Sequence, residues 1–132
     1  MSKSEFEYGE STDLFVTRKS NGGSIVVGGT GEDTSKWIRI LSNRAAQLLW
    51  FQVTQELHPD KAKQATTVVT TAPMREANSP TITTHTNFEK AQNFYSMVGW
   101  IGNKTWQADL NEHEAERFWI ALSRALYPNK KQ

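Results

Sequence analysis

Three histidines, His58, His85 and His113, are the side chains best suited to exchange protons near neutral pH. None stands three or four residues from another, and the 132-residue chain contains no cysteine. A helical histidine pair and a thiolate zinc site are therefore both missing. Glu112, Glu114 and Glu116 could be read as acid–base groups, but they open a helical pattern, where negative charge offsets the helix dipole. Residues 112 and 116 would share one face there while 114 points away. Gly28-Gly29-Thr30-Gly31 lacks the Gly-Lys-Ser/Thr that completes a phosphate loop, and a strand pattern follows it rather than a helix. No Gly-x-Ser-x-Gly elbow occurs. The expectation is a non-enzymatic protein with no catalytic residue, no cofactor and no metal.

Binding chemistry is better represented. Five tryptophans are present, and formal net charge is +1. The charge is unevenly spread. Residues 36–75 hold six bases (Lys36, Arg39, Arg44, Lys61, Lys63, Arg75) against Glu56 and Asp60, while residues 109–116 hold four acids and no base. Bases beside exposed aromatic rings bind single-stranded nucleic acid by phosphate contact and base stacking. The residues expected to do so are Arg18, Lys36, Lys61, Lys63, Lys104 and Trp100. The competing reading is an ordinary solvated surface, with Trp100 and Phe94 in a core stripe. Trp37, Trp50, Trp106 and Trp119 all fall on apolar faces and are expected in the core.

The elements that must carry these residues repeat. A shift of 69 aligns residues 37–59 with 106–128 at six identities in 23 positions: Trp37/Trp106, Leu41/Leu110, Ala46/Ala115, Trp50/Trp119, Leu57/Leu126 and Pro59/Pro128. Chance would give roughly one or two. Extended backwards, Ser24-Ile25-Val26 aligns with Ser96-Met97-Val98 if one loop is three residues shorter. A duplicated sheet-then-helix unit follows, the first over 12–59 and the second over 66–128, within a single domain 1–132. Residues 1–11 and 129–132 read as flexible tails.

Within the units, strands are expected at 13–19, 24–27 and 36–41, with a turn at 20–23 and a flexible loop from Gly28 to Asp33. Ser42 should cap a helix over 43–57, ended by His58-Pro59. Strands at 66–72, 81–87, 94–101 and 104–110 should pair as an antiparallel meander, with a loop at 73–80. Asn111 should cap the last helix, whose stripe is Ala115, Phe118, Trp119, Leu122, Ala125 and Leu126. Strict alternation places Trp37 and Arg39 on one face of their strand and Lys36 and Ile38 on the other. No run approaches ~18 apolar residues and the first residues are polar, so no membrane contact is expected and the location expected is cytoplasmic.

Two junctions, Trp37-Ile38-Arg39-Ile40-Leu41-Ser42 and Trp106-Gln107-Ala108-Asp109-Leu110-Asn111, carry a strand into a capped helix. This pattern resembles the Whirly and transcriptional-coactivator type of single-stranded-DNA-binding regulator, in which a four-stranded antiparallel sheet precedes a helix and, in Whirly proteins, the unit occurs twice. The resemblance implies an α+β, internally duplicated, Whirly-like fold and single-stranded DNA or RNA as ligand. The chain lacks the lysine-rich strand motif of Whirly proteins and the basic, serine-rich arm of the coactivators. The alternative function is a protein-interaction or assembly factor, and the sequence leaves its oligomeric state open.

Overall fold

The computed structural model describes residues 6–19, 24–62 and 81–127. The expected turn at 20–23, strand at 66–72, loop at 73–80, tail at 129–132 and Lys63 lie outside them. Among the described residues eight strands and two long helices follow one another: β1 (Phe6–Glu10), β2 (Thr12–Arg18), β3 (Ile25–Thr30), β4 (Lys36–Leu41), α1 (Asn43–Leu57), β5 (Ile82–Thr83), β6 (His85–Lys90), β7 (Tyr95–Ile101), β8 (Lys104–Leu110) and α2 (Glu112–Leu126). A further helical turn covers residues 59–62. The architecture is mixed α+β with two four-stranded sheets, β2-β3-β4-β5 and β1-β8-β7-β6.

Both helices begin and end where local chemistry dictates. Ser42 Oγ accepts from the Ala45 N–H at 3.1 Å, and Asn111 Oδ1 accepts from the Glu114 N–H at 2.8 Å. Each cap contributes about 1 kcal/mol. Ala45, Ala46, Leu49 and Val53 of α1 and Ala115, Phe118, Leu122 and Leu126 of α2 are buried, as their helical spacing requires. α1 packs on β6 and α2 on β2, so each helix covers the sheet that its own preceding strands do not dominate. One continuous core holds residues from both halves of the chain.

Four expectations change. Residues 6–10 are not a tail: they form β1, which pairs in parallel with β8. In the same way β5 pairs in parallel with β4. The sheets are therefore mixed rather than antiparallel meanders, and each takes one strand from the other half of the chain. Parallel neighbours need a long crossover, and α1 with its following segment supplies it between β4 and β5.

The second change concerns Gly28 and Gly29, expected in a loop but buried within β3. Gly29 lies opposite Trp37, and Gly99 lies opposite Trp106. A Cβ on Gly99 would stand 2.4 Å from the Trp106 indole, and one on Gly28 would stand 2.6 Å from the Phe15 ring. Glycine is the residue that lets a neighbour's ring occupy that space. The third change follows from the first two pairings. Register sets Ile25 opposite Leu41 and Tyr95 opposite Leu110, so Ile25 matches Tyr95 and Val27 matches Met97. The second loop is one residue shorter, not three, and Met97 is not the counterpart of Ile25. The strand expected over 81–87 is also interrupted at Thr84, between β5 and β6.

Matching contacts recur at the shift of 69 in the helices. Trp50 Nε1 of α1 donates to Ser123 Oγ of α2 at 2.7 Å, and Trp119 Nε1 of α2 donates to Thr54 Oγ1 of α1 at 2.8 Å. His58 lies against the Trp119 ring at 4.2 Å, and Tyr127 meets the Trp50 ring edge-on at 5.2 Å. Burial raises the Tyr127 phenol above its ordinary range. At the centre, Trp37 and Trp106 approach to 5.7 Å between ring centroids. Trp37 Nε1 donates to Ser11 Oγ at 3.1 Å, and Trp106 Nε1 donates to Thr83 Oγ1 at 2.9 Å. Each indole thus finds a hydroxyl at the end of a parallel-paired strand, which satisfies a donor that burial would otherwise leave costly.

Candidate binding surface

Among the described residues, those expected to contact nucleic acid are spread over both sheets and the end of α1 rather than gathered on one surface. Arg18 ties secondary structure together: its Nε donates to the Ala125 carbonyl at 3.2 Å and its Nη1 to Asn43 Oδ1 at 3.1 Å. A cation there suits the carbonyl-rich end of α2. Lys61 is exposed after α1, with Nζ 5.7 Å from the centre of the Trp119 ring. Lys36 opens β4 on one sheet, while Lys104 opens β8 on the other; both are exposed. Trp100 lies half-buried on the outward face of β7, with its ring 5.4 Å from that of His85. Tyr95, Met97, Gly99 and Ile101 are buried while Ser96, Val98 and Trp100 are half-exposed, so Trp100 belongs to the outward face rather than to the core.

Arg39 behaves as alternation requires. It turns inward with Trp37, is half-buried, and its Nε donates to Tyr8 Oη at 2.8 Å. Its guanidinium lies 4.9 Å from the centre of the Phe6 ring, and Tyr8 stacks on Trp37 at 4.8 Å. This base is a fastening between β1 and β4.

The histidines are dispersed. His58 caps the end of α1 and its Nε2 lies 3.0 Å from Glu116 Oε2. His85 is on β6 and His113 in the first turn of α2. Among the described residues no three His, Asp or Glu side chains come together in a metal-binding arrangement, and no helix is long and apolar enough to cross a membrane.

The outward faces of the two sheets carry the clearest signal, and register lets them be compared position by position. One row across the first sheet reads Thr17-Val26-Ile40-Ile82. The equivalent row of the second reads Glu89-Ser96-Asp109-Glu10. The next row reads Phe15-Gly28-Ile38 in the first sheet and Asn87-Val98-Gln107 in the second. Within these two rows Val98 is the one position where the second sheet is the more apolar, and in the row beyond them His85-Trp100-Thr105 of the second sheet stand where the first has Thr12-Thr30-Lys36. Ile38 is 60% exposed and Phe15 43%. An open groove beside the second sheet is lined by Glu10, Glu32 and Asp109 together with Asn93, Phe94 and Asn111.

One scaffold thus presents an apolar sheet face and an acidic one. Phosphate is disfavoured on the acidic face by like charge, and the two described rows of the apolar face hold no cation. The pattern could have been seen in part beforehand. With Trp37 inward, alternation turns Ile38 outward, which is an unusual place for a large aliphatic residue. The same alternation turns Ile40 outward, whereas Phe15 and Ile82, on other strands, could not be assigned to that face without the register. No family model and no curated protein matches the chain.

Proposed function

We propose that this is a non-enzymatic, cytoplasmic binding protein built on an internally duplicated, Whirly-like ββββα unit, and that it docks a protein partner on the outer face of β2-β3-β4-β5. The duplication is supported by helices of equal length at a shift of 69, by matched caps, and by the paired tryptophan–glycine and tryptophan–hydroxyl contacts. The exchange of β1 and β5 between the sheets is the particular form it takes here.

The observation that carries the docking reading is the difference between equivalent rows. Fold stability does not demand apolar residues at these positions, since the second sheet has Glu10, Ser96, Asp109, Asn87 and Gln107 where the first has Ile82, Val26, Ile40, Phe15 and Ile38. Exposed aliphatic and aromatic side chains gathered on one face mark an interaction site. The test is affinity capture from the source organism's extract with the wild-type chain and with Ile38→Asp. A partner held by the wild type and lost by the variant is the expected result. Identical captures from the two chains would remove the reading.

Single-stranded nucleic acid is the second reading, favoured by the paired rings of His85 and Trp100 on the outward face of the second sheet. Protein docking predicts no detectable anisotropy change with labelled single-stranded DNA or RNA at ~50 mM salt, where phosphate contacts are strongest. Micromolar binding that declines toward ~200 mM salt, and declines again in Trp100→Ala, would install the nucleic-acid reading instead.

A further inference from the structure

The outer face of β1-β8-β7-β6 has a chemistry of its own, ordered along β7. The row Glu89-Ser96-Asp109-Glu10 comes first, Asn87-Val98-Gln107-Glu7 next, and His85-Trp100-Thr105 last. These rows hold four carboxylates and no lysine or arginine. Glu7, Glu10 and Glu89 are exposed, while Val98 and Trp100 are half-buried. The groove lined by Glu10, Glu32, Asp109 and Phe94 continues the face beyond its acidic row. Gly9, at φ +71°, leaves the space that the Glu32 side chain fills there. Register sets Glu10 beside Asp109 on neighbouring strands, where like charges repel. The fold does not require this, since the first sheet has Ile82 beside Ile40 at the same place.

We propose that this face docks a basic, extended segment of a partner protein, with its bases at the groove and the acidic row and an aromatic residue against Trp100. Charge complementarity chooses the occupant. Opposite charge relieves the crowded carboxylates, whereas an acidic segment or a phosphate chain would add to them. The carboxylates do not converge on a point: among the described residues no three His, Asp or Glu side chains form a metal-binding group. The cation that fits is therefore one carried along a chain. Trp100 supplies apolar surface and a ring face to that same chain. This face belongs to the sheet opposite the apolar one, so the inference stands independently of the docking reading above.

Strand geometry sets the pattern of the segment. Alternate residues of an extended chain face the sheet about 6.8 Å apart, which is also the spacing of the rows. A base over the acidic row thus puts its second neighbour on Val98 and its fourth against Trp100. The second neighbour in the other direction reaches the groove, where Phe94 offers a ring to a guanidinium and Glu32 a carboxylate. The sequence Arg-Ser-Arg-Thr-Val-Thr-Tyr satisfies each of these places.

Titration of the isotope-labelled full chain with that peptide, its ends capped, tests this by two-dimensional amide NMR at ~50 mM salt, where charge contacts are little screened. Expected are saturable shifts along β1, β7 and β8 and at the Trp100 indole N–H, half-complete below ~1 mM. Glu10→Lys/Glu89→Lys, both at exposed positions, should weaken binding about tenfold. Glu89→Lys alone serves if the double variant fails to fold. Trp100→Ala should weaken binding about fivefold, which attraction between charges alone would not do. Ile38→Asp, on the other sheet, should bind like the wild type. No shift up to ~1 mM, shifts centred elsewhere, or undiminished binding in a folded variant of this face overturns the proposal. Spermine giving the same shifts at equal concentration would overturn it too, by showing a face that collects any small cation. A single-stranded oligonucleotide giving them would replace it with a nucleic-acid site.

Discussion

Trp106→Ala should cost about 3–5 kcal/mol of folding stability, the range for removing a fully buried large aromatic side chain. Trp106 has no solvent exposure and lies at the centre of the contact between the halves. Its ring fills the space opposite Gly99, touches Trp37, and donates to Thr83 Oγ1. Truncation would open a cavity beneath both sheets and leave the buried Thr83 hydroxyl without this donor. For a chain of this length the thermal midpoint should fall by about 10–20 °C. Trp106→Phe keeps much of the ring but removes the N–H, so it should lie between the two, with the lost hydrogen bond alone costing about 1–3 kcal/mol. Urea titration followed by circular dichroism measures both. A Trp106→Ala loss below ~1 kcal/mol would mean that the core does not depend on this ring as a fully buried aromatic should.

The two tryptophans at the centre also show which parts of the fold can be read from sequence. Helix limits are local. Ser42 and Asn111 cap by reaching three residues ahead, and apolar spacing fixes the buried stripe, so both helices were legible to within a residue. Alternation was legible too: it turned Arg39 inward and Ile38 outward on β4. Parallel pairing was not legible, because β1 joins β8 about a hundred residues away and β5 has only two residues. Gly28 and Gly29 read as loop because composition does not reveal that Phe15 and Leu14 occupy the space a side chain would take. Arg18 illustrates the limit for the binding surface. Counting bases marked it as a phosphate contact, whereas the structure spends it on the Ala125 carbonyl and Asn43. Charge along the chain does not say which face a side chain joins. Alternation put Ile38 and Ile40 on one side of β4, and the apolar face emerged only when register added Phe15 and Ile82 to it.

Removing residues 1–10 should destabilise the protein by about 4 kcal/mol or more, combining lost aromatic burial with lost ladder hydrogen bonds. Composition alone reads this segment as a polar tail whose removal costs nothing, so the two views separate cleanly. Tolerance to truncation depends on the burial and hydrogen bonding of the removed backbone rather than on its place in the chain. Here β1 supplies the parallel partner of β8, and the Tyr8 carbonyl accepts from the Glu32 N–H at 2.8 Å. Tyr8 stacks on Trp37, and its hydroxyl accepts from Arg39. Without it, a half-buried guanidinium loses that acceptor and the Trp37 indole loses its covering ring. With total stability of about 5–15 kcal/mol for a domain, such a loss brings the chain near the edge of unfolding. The truncated protein should show a red-shifted tryptophan emission and faster amide exchange along β8, with a lower urea midpoint. Tyr8→Ala should reproduce part of the emission shift with the backbone pairing intact. A truncated chain that unfolds within ~0.5 kcal/mol of the full chain, the usual range for surface changes, would show that β1 contributes nothing and that the tail reading was right.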